Sequence, residues 1–163
     1  MNPSPATESA IAPVLKSIVI ARDALTCFRY FAERASVWWP LATHSLSPEH
    51  ATRAVSVTFE PRAGGRVYET AEDGRQFDWG KVIAWEPGRR LAFTWHLARP
   101  PEQSTRVEIT FTALASNSTR VDLEHRDWEK WGKDGLDRRG KYDQGWEGVF
   151  VAGYAQYCKR SDI

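Results

Sequence analysis

The fold is decided by residues 141–160, which read KYDQGWEGVFVAGYAQYCKR. Large apolar residues recur there in steps of three and four, which predicts a helix with one aromatic stripe and a charged opposite side. Three glycines, Gly145, Gly148 and Gly153, lie on or beside the stripe, and each costs a helix about 1 kcal/mol relative to alanine. Either they make room for large strand side chains, or a ligand approaches the helix backbone. The stripe consists of Trp146, Val149, Phe150, Gly153, Tyr154 and Tyr157.

The preceding chain predicts the apolar surface on which this helix packs. Between residues 53 and 126, apolar and polar residues alternate with period two in six runs, separated by turn signals such as Asp73-Gly74 and Pro87-Gly88. A β-branched run at residues 14–20 adds a seventh strand. Short connections between successive strands predict an antiparallel meander, and the amphipathic helix completes a two-layer α+β domain.

Two short helices are expected after the first strand. Asp23 stands where an N-cap would, before an apolar stretch, and a second short helix is predicted for residues 33–38, ahead of Pro40. A polar loop is expected over residues 129–140.

From the length of the chain and the elements predicted along it, we expect residues 1–12 to form a flexible tail and residues 13–163 a single domain.

Composition limits the function classes. The 163 residues carry 22 Lys+Arg and 21 Asp+Glu, which gives a formal net charge of +1. A chain with so little net charge has no overall electrostatic attraction for nucleic acid. Eight tryptophans are many for one small domain and suit the wall of a cavity. Cys27 and Cys158 lie far apart without metal-type spacing, and no signal peptide or membrane span is evident, which favours a cytoplasmic protein. The four histidines show no shared-site spacing, so neither a metal nor a cofactor is expected.

With these elements in order, the chain resembles the helix-grip fold of the START-like, or SRPBCC, superfamily. Within it, the chain looks like a stand-alone bacterial member of the family named for homologues of the heat-shock-protein ATPase activator. The resemblance implies a curved antiparallel sheet of about seven strands around the long C-terminal helix. The motifs that carry it are Trp38-Trp39-Pro40 with Thr43-His44-Ser45, Glu60-Pro61-Arg62 with Gly64-Gly65-Arg66, Trp79-Gly80-Lys81-Val82, Trp85-Glu86-Pro87, Phe93-Thr94-Trp95-His96, Leu123-Glu124-His125 and Gly145-Trp146.

The resemblance also implies a cavity between the concave face of the sheet and the long helix. In this superfamily such cavities hold lipids, sterols, hormones or aromatic polyketides, and some members use them for cyclisation or dehydration. The first hypothesis is therefore a binding protein for a small apolar or aromatic molecule. An enzyme performing acid–base chemistry on a ring or enol substrate is second, and a chaperone-interaction module is third. The edges of the meander would allow a homodimer.

The candidate ligand-binding residues combine large aromatic side chains with two histidines. The aromatic members would supply contact area and stacking, and the histidines would fix the polar end of the ligand. The set is Trp38, Trp39, His44, Trp79, Trp95, Phe111, His125, Trp146 and Phe150.

The histidines each have two interpretations. His125 shares a strand face with Val121 and Leu123, so it would orient a ligand or act as general acid or base, or else be a buried histidine satisfied by its neighbours. His125 is the candidate catalytic residue. His44 lies on the paired-tryptophan loop at the expected mouth, where it would contact a ligand or anchor the loop.

Two groups of charges are interpreted as solvated. Glu60, Arg62, Arg66 and Glu69 on one hairpin would form an exposed ladder. The alternative is an arginine inside the cavity that binds a carboxylate or phenolate. The basic run at residues 138–141 is interpreted as a solvated loop.

Overall fold

The computed structural model describes residues 11–160. Its architecture is a seven-stranded antiparallel sheet that curls around a long C-terminal helix, with two short helices after the first strand. The helix-grip α+β fold is thus confirmed. Residues 1–10 of the expected tail lie outside the described residues, whereas the carbonyl oxygens of Ala12 and Pro13 accept hydrogen bonds from the Arg139 guanidinium.

The sheet consists of seven strands, which are β1 Val14–Ile20, β2 Ala54–Phe59, β3 Arg66–Ala71, β4 Gln76–Glu86, β5 Arg90–Trp95, β6 Thr105–Ala115 and β7 Ser118–Arg126. Their order is β1-β7-β6-β5-β4-β3-β2, and each neighbouring pair is antiparallel. The short connections make β2 to β7 a meander of sequential neighbours, and β1 is added at the β7 edge.

The alternation within the strands places their apolar residues on the concave face. Register aligns Phe93 with Val107, Val107 with His125, and His125 with Val14 across four strands. All four side chains are fully buried. This row is part of the surface on which the C-terminal helix packs.

The short helices are α1, Ala24–Glu33, and α2, Ala35–Trp38. The predicted N-cap is confirmed, because the Asp23 carboxylate accepts the Thr26 N–H at 3.1 Å. Short 3-10 segments follow at Ser47–His50 and Pro101–Gln103.

The C-terminal helix begins earlier than its stripe predicts. A 3-10 segment, Trp128–Asp134, leads into α3, Gly135–Trp146, which continues as a π-helical segment, Glu147–Tyr154, and then as α4, Ala155–Arg160. The expected loop over residues 129–140 is therefore wrong. Gly135 permits this start because a Cβ there would lie 2.2 Å from the Trp128 carbonyl oxygen.

The stripe packs on the sheet as expected, with Trp146, Val149, Phe150 and Tyr154 buried. The Tyr154 hydroxyl donates to the Cys27 carbonyl oxygen at 2.6 Å, which joins the helix to α1. At its edge, the Lys16 ammonium lies 2.8 Å from the Asp143 carboxylate and 2.7 Å from that of Glu147, which ties the helix to β1.

No helix among residues 11–160 is long and apolar enough to cross a membrane.

Candidate ligand-binding site

A cavity of about 290 Å³ opens between the C-terminal helix, the end of β5 and the segment 39–49, here called the mouth loop. Trp39, Trp95 and Trp146 form its aromatic walls. Leu97 also lines it, in a left-handed backbone conformation (φ 51°) that is uncommon outside glycine. Its backbone N–H donates to the Trp79 carbonyl oxygen at 3.2 Å, which holds it in this position.

The three tryptophan rings contact one another in pairs. Their ring centroids are 6.1 Å apart for Trp39 and Trp95, 5.8 Å for Trp39 and Trp146, and 6.1 Å for Trp95 and Trp146. These distances and the tilted or edge-on angles are those of mutually stabilising aromatic pairs. The walls are therefore fixed by contacts within the protein.

The indole N–H groups of these tryptophans are all used inside the protein. Trp39 donates to the His44 carbonyl oxygen at 2.9 Å, Trp95 to the Tyr142 hydroxyl at 2.9 Å, and Trp146 to His125 Nδ1 at 3.0 Å. An indole nitrogen donates one hydrogen bond and accepts none. The tryptophans can thus offer a ligand only apolar ring surface.

Polar groups enter the cavity from one face of α3. Arg138, Lys141, Tyr142 and Gly145 all line it, at positions i, i+3, i+4 and i+7. The Tyr142 hydroxyl accepts the Trp95 N–H, and its own proton has no acceptor within residues 11–160. Burial raises the pKa of Tyr142, so the hydroxyl stays protonated at neutral pH and can donate to a ligand.

Gly145 keeps part of the cavity open. A Cβ at this position would meet no atom within 4 Å. The same is true of Gly148, which does not line the cavity, whereas a Cβ on Gly153 would lie 3.4 Å from the Trp38 carbonyl oxygen. The close approach foreseen at the three glycines therefore occurs at Gly153, and Gly145 adds free space.

The mouth loop is fastened to the sheet by a buried carboxylate. Glu69 on β3 is fully buried and accepts hydrogen bonds from the Leu46 N–H at 2.6 Å, the Ser47 N–H at 2.8 Å and the Trp79 indole at 2.6 Å. The Ser47 hydroxyl donates to it as well. Four donors satisfy the carboxylate without a counter-charge.

This corrects the expected ladder of hairpin charges. Glu69 lies two residues from the buried Val67 and two from the buried Ala71, so it shares their face of the strand and points inward rather than to solvent. Arg62 and Arg66 behave as expected on the surface, where they contact Glu60 and Asp78. Neither arginine lines the cavity, so the alternative of a hairpin arginine inside it is wrong.

His44 lies at the mouth of the cavity and is exposed. Its Nδ1 atom is 2.7 Å from the Thr43 hydroxyl, and its carbonyl oxygen accepts the Trp39 indole. The residue thus anchors the loop through its backbone and presents its ring to the mouth. Both expected roles are compatible with this geometry.

His125 is fully buried beneath Tyr142 and Trp128 and does not line the cavity. Its Nδ1 accepts the Trp146 indole, so the proton of the neutral ring is on Nε2, which donates to the Thr105 hydroxyl at 2.8 Å. Thr105 in turn donates to the Trp95 carbonyl oxygen at 3.0 Å. Burial holds the pKa of His125 well below its usual value, so the ring is neutral at pH 7.

The remaining candidates divide between wall and core. Trp39, His44, Trp95 and Trp146 line the cavity. Trp79 contacts Trp39 and Trp95 from behind, with centroids at 5.1 and 5.3 Å. Trp38, Phe111 and Phe150 pack in the core, against Tyr154, Phe28 and Tyr154 respectively.

Several lining residues were not among the candidates. They are Thr43, Ser45, Leu46, Glu49, Leu97, Arg138, Lys141, Tyr142, Gly145 and Val149. A signal for Tyr142 existed, because it lies one turn before Trp146 and so extends the aromatic stripe. Within the described part of the chain, no cluster of His, Cys, Asp and Glu could hold a metal ion.

Fold and cavity together define a START-like, SRPBCC domain. Residues 28–158 match the family described as Activator of Hsp90 ATPase homolog 1-like protein, and the chain belongs to this family. A comparison with curated protein sequences found no match.

Solved structures share the fold over nearly the whole chain. An anthrahydroquino-γ-pyrone synthase, solved in a complex with the compound denoted SUM, is 30% identical, with a TM-score of 0.63 over 91% of this chain and 97% of that one. The self-sacrificing resistance protein CalC from Micromonospora echinospora is 23% identical, with a TM-score of 0.62 over 93% of this chain and 98% of that one. An HSP90 activator from Plasmodium falciparum is 16% identical, with a TM-score of 0.59 over 86% and 91%. The family match and the synthase relative fit a ligand-binding SRPBCC domain.

Proposed function

We propose that this protein binds a small, planar aromatic molecule in the cavity beside Trp39, Trp95 and Trp146. The observation that carries the proposal is an unfilled space walled by three indoles whose N–H groups are already bonded within the protein. Such walls suit a π-system, which they contact by stacking and edge-on packing. The Tyr142 hydroxyl would hydrogen-bond a polar atom of the same molecule.

The size of the cavity narrows the ligand class. Its volume of about 290 Å³ is at the lower end of the roughly 300–1,000 Å³ typical of small-molecule sites. A compact ring system is therefore favoured over the sterols and lipids that larger cavities hold. The relative named as an anthrahydroquino-γ-pyrone synthase supports a fused aromatic ligand, because that name describes a fused-ring product.

The two glycines that face open space provide a matched test. Gly145→Leu would place a side chain in the cavity, whereas Gly148→Leu adds the same atoms to the same helix outside it. Titration with N-phenylnaphthylamine, a neutral aromatic dye, is expected to show saturable fluorescence enhancement in the wild type and in Gly148→Leu. Gly145→Leu should bind at least about tenfold more weakly, as expected when a buried apolar contact is replaced by a clash. Equal binding by the two variants would overturn the proposal.

A second candidate is catalysis on the bound molecule, and the synthase relative favours it. The lining residues that could exchange protons with a ligand are His44 and Tyr142, because both ring nitrogens of His125 are bonded within the protein. If the protein is such an enzyme, Tyr142→Phe or His44→Ala should reduce turnover by a larger factor than it weakens dye binding. Turnover unchanged in both variants would exclude these residues as the proton-transfer groups.

A further inference from the structure

Two positively charged side chains lie at the rim of the cavity, and an uncharged aromatic ligand would give them no partner. Arg138 and Lys141 lie one turn apart on α3, both exposed and both lining the cavity. Within residues 11–160, Arg138 has no ion pair or hydrogen bond, and Lys141 has only an exposed contact with Asp137 at 3.5 Å. Arg139, between them in sequence, instead donates to the carbonyl oxygens of Ala12 and Pro13.

The remaining polar side chains at the mouth are mostly committed to the loop. The Thr43 hydroxyl contacts His44 Nδ1, and the Ser45 hydroxyl donates to the Leu41 carbonyl oxygen at 2.6 Å. Glu49 is the one acidic residue that lines the cavity, and neither Arg138 nor Lys141 lies within ion-pair distance of it in the described structure. The groups left to donate to a ligand are thus the Tyr142 hydroxyl, the Nε2 side of the His44 ring and the two cations, and only the cations carry a fixed positive charge.

We infer that the aromatic ligand carries an anionic group, a carboxylate or an acidic phenolate, which Arg138 and Lys141 bind at the rim while its rings lie against the tryptophans. This inference rests on the proposed function and specifies its substrate class. Helical spacing places Arg138, Tyr142 and Gly145 along a single line of the cavity wall. An elongated ligand lying on that line would have its rings beside Gly145 and its charged end beside Arg138. A charge-assisted hydrogen bond from a guanidinium or ammonium is the usual means of holding such a group.

Two dyes with the same ring skeleton can separate the effect of the ligand's charge on affinity from the effect of its aromatic rings. Anilinonaphthalene sulfonate carries an anionic group, and N-phenylnaphthylamine does not. We expect the wild type to prefer the sulfonate by about tenfold, since each of two partly exposed charge contacts contributes a factor of about three. Raising the ionic strength should weaken binding of the sulfonate and leave the neutral dye nearly unaffected.

The key variant is Arg138→Gln with Lys141→Gln. Both positions are exposed, so the fold should tolerate the changes. The control is Lys130→Gln with Lys133→Gln, which removes the same charge from exposed residues outside the cavity. The rim variant should lose the preference for the sulfonate while binding the neutral dye as the wild type does, and the control should keep the preference. Glu49→Gln should raise affinity for the sulfonate a few-fold.

The outcomes distinguish the two levels of the proposal. If both dyes bind equally to the wild type, or the rim variant keeps the sulfonate preference, the anionic group is wrong and the aromatic cavity stands. If the control loses the preference as fully as the rim variant does, the effect is one of net charge, which also overturns the inference. If neither dye binds, or if Gly145→Leu leaves both unaffected, the proposed function itself fails.

Discussion

The aromatic layer between the sheet and the C-terminal helix has two ends of similar composition and different construction. At one end, here the closed end, Phe31, Trp38, Phe150 and Tyr154 pack on one another, with the Phe150 and Tyr154 rings stacked at 5.6 Å. At the other end, the mouth end, Trp39, Trp95 and Trp146 contact one another and line the cavity. The paired tryptophans, Trp38 and Trp39, belong one to each end.

The difference originates in what the helix presents to each end. At the closed end it presents Phe150 and Tyr154, which fill the space against α1 and α2. At the mouth end it presents Gly145, whose missing side chain leaves room, and Tyr142, whose hydroxyl remains able to donate. Aromatic content therefore does not distinguish a core from a binding site. The glycine and polar positions between the aromatic residues are what distinguish the binding site from the core.

The largest effect is expected at the closed end. Phe150→Ala should lower the free energy of unfolding by about 3–5 kcal/mol, because it deletes a fully buried ring and leaves a cavity. Denaturant unfolding measures this loss directly. A loss below about 1 kcal/mol would show that the closed end is loosely packed, and would remove the contrast with the mouth end.

Removing the carboxylate that holds the mouth loop should come next. Glu69→Ala leaves the N–H groups of Leu46, Ser47 and Trp79 without their acceptor, and should cost about 2–4 kcal/mol. Glu72→Ala, an exposed ion-pair partner of Arg53 on the same hairpin, should cost less than about 1 kcal/mol. Equal losses in the two variants, measured by denaturant unfolding, would contradict a clamping role for Glu69.

His125 makes stability depend on pH. Its pKa is lowered in the folded state, so below the unfolded value of about 6.5 the unfolded chain binds a proton that the folded chain does not. With respect to His125, the free energy of unfolding therefore has its full value above the unfolded pKa. It decreases as pH falls below that pKa, by up to about 1.4 kcal/mol per pH unit. Unfolding between pH 7 and 5 should show this slope, and His125→Asn should flatten it. An unchanged slope in the variant would mean that other groups dominate.

The smallest effects distinguish two glycines of one helix. Gly145→Ala faces open space, and should stabilise the protein by about 0.5–1 kcal/mol through helix propensity. Gly153→Ala would set a methyl group 3.2 Å from the Gly148 carbonyl oxygen and 3.4 Å from that of Trp38, which should cancel that gain. Thermal unfolding can compare the two variants. A larger gain at Gly153 would reverse the assignment of open and closed ends.

Much of this construction could be predicted from the sequence, because period-two alternation and the helical stripe each report one buried face. The start of the helix could not, because residues 135–140 contain two glycines, three charged side chains and no apolar periodicity. The inward position of Glu69 could have been predicted, since Glu69 shares its strand face with Val67 and Ala71. Residue type alone predicts that a glutamate faces solvent. Three of the four donors that make its burial favourable belong to Leu46 and Ser47 in the mouth loop, a segment that the strand pattern does not place.

The cavity itself has no local sequence signal. Whether Trp95 and Trp146 fill a core or line a space depends on where the mouth loop is held, and that depends on tertiary hydrogen bonds to Glu69. Of the candidates, Trp39, His44, Trp95 and Trp146 line the cavity, and the assignment of all nine as binding residues stays a prediction.

The central claim is that the mouth end is a ligand site. Native mass spectrometry of the wild type, Gly145→Leu and Gly148→Leu, each incubated with a metabolite extract from the source organism, tests it most directly. The account predicts a discrete adduct on the wild type and on Gly148→Leu that is lost from Gly145→Leu. An adduct retained by Gly145→Leu, or a clean unliganded mass for all three proteins, would contradict it.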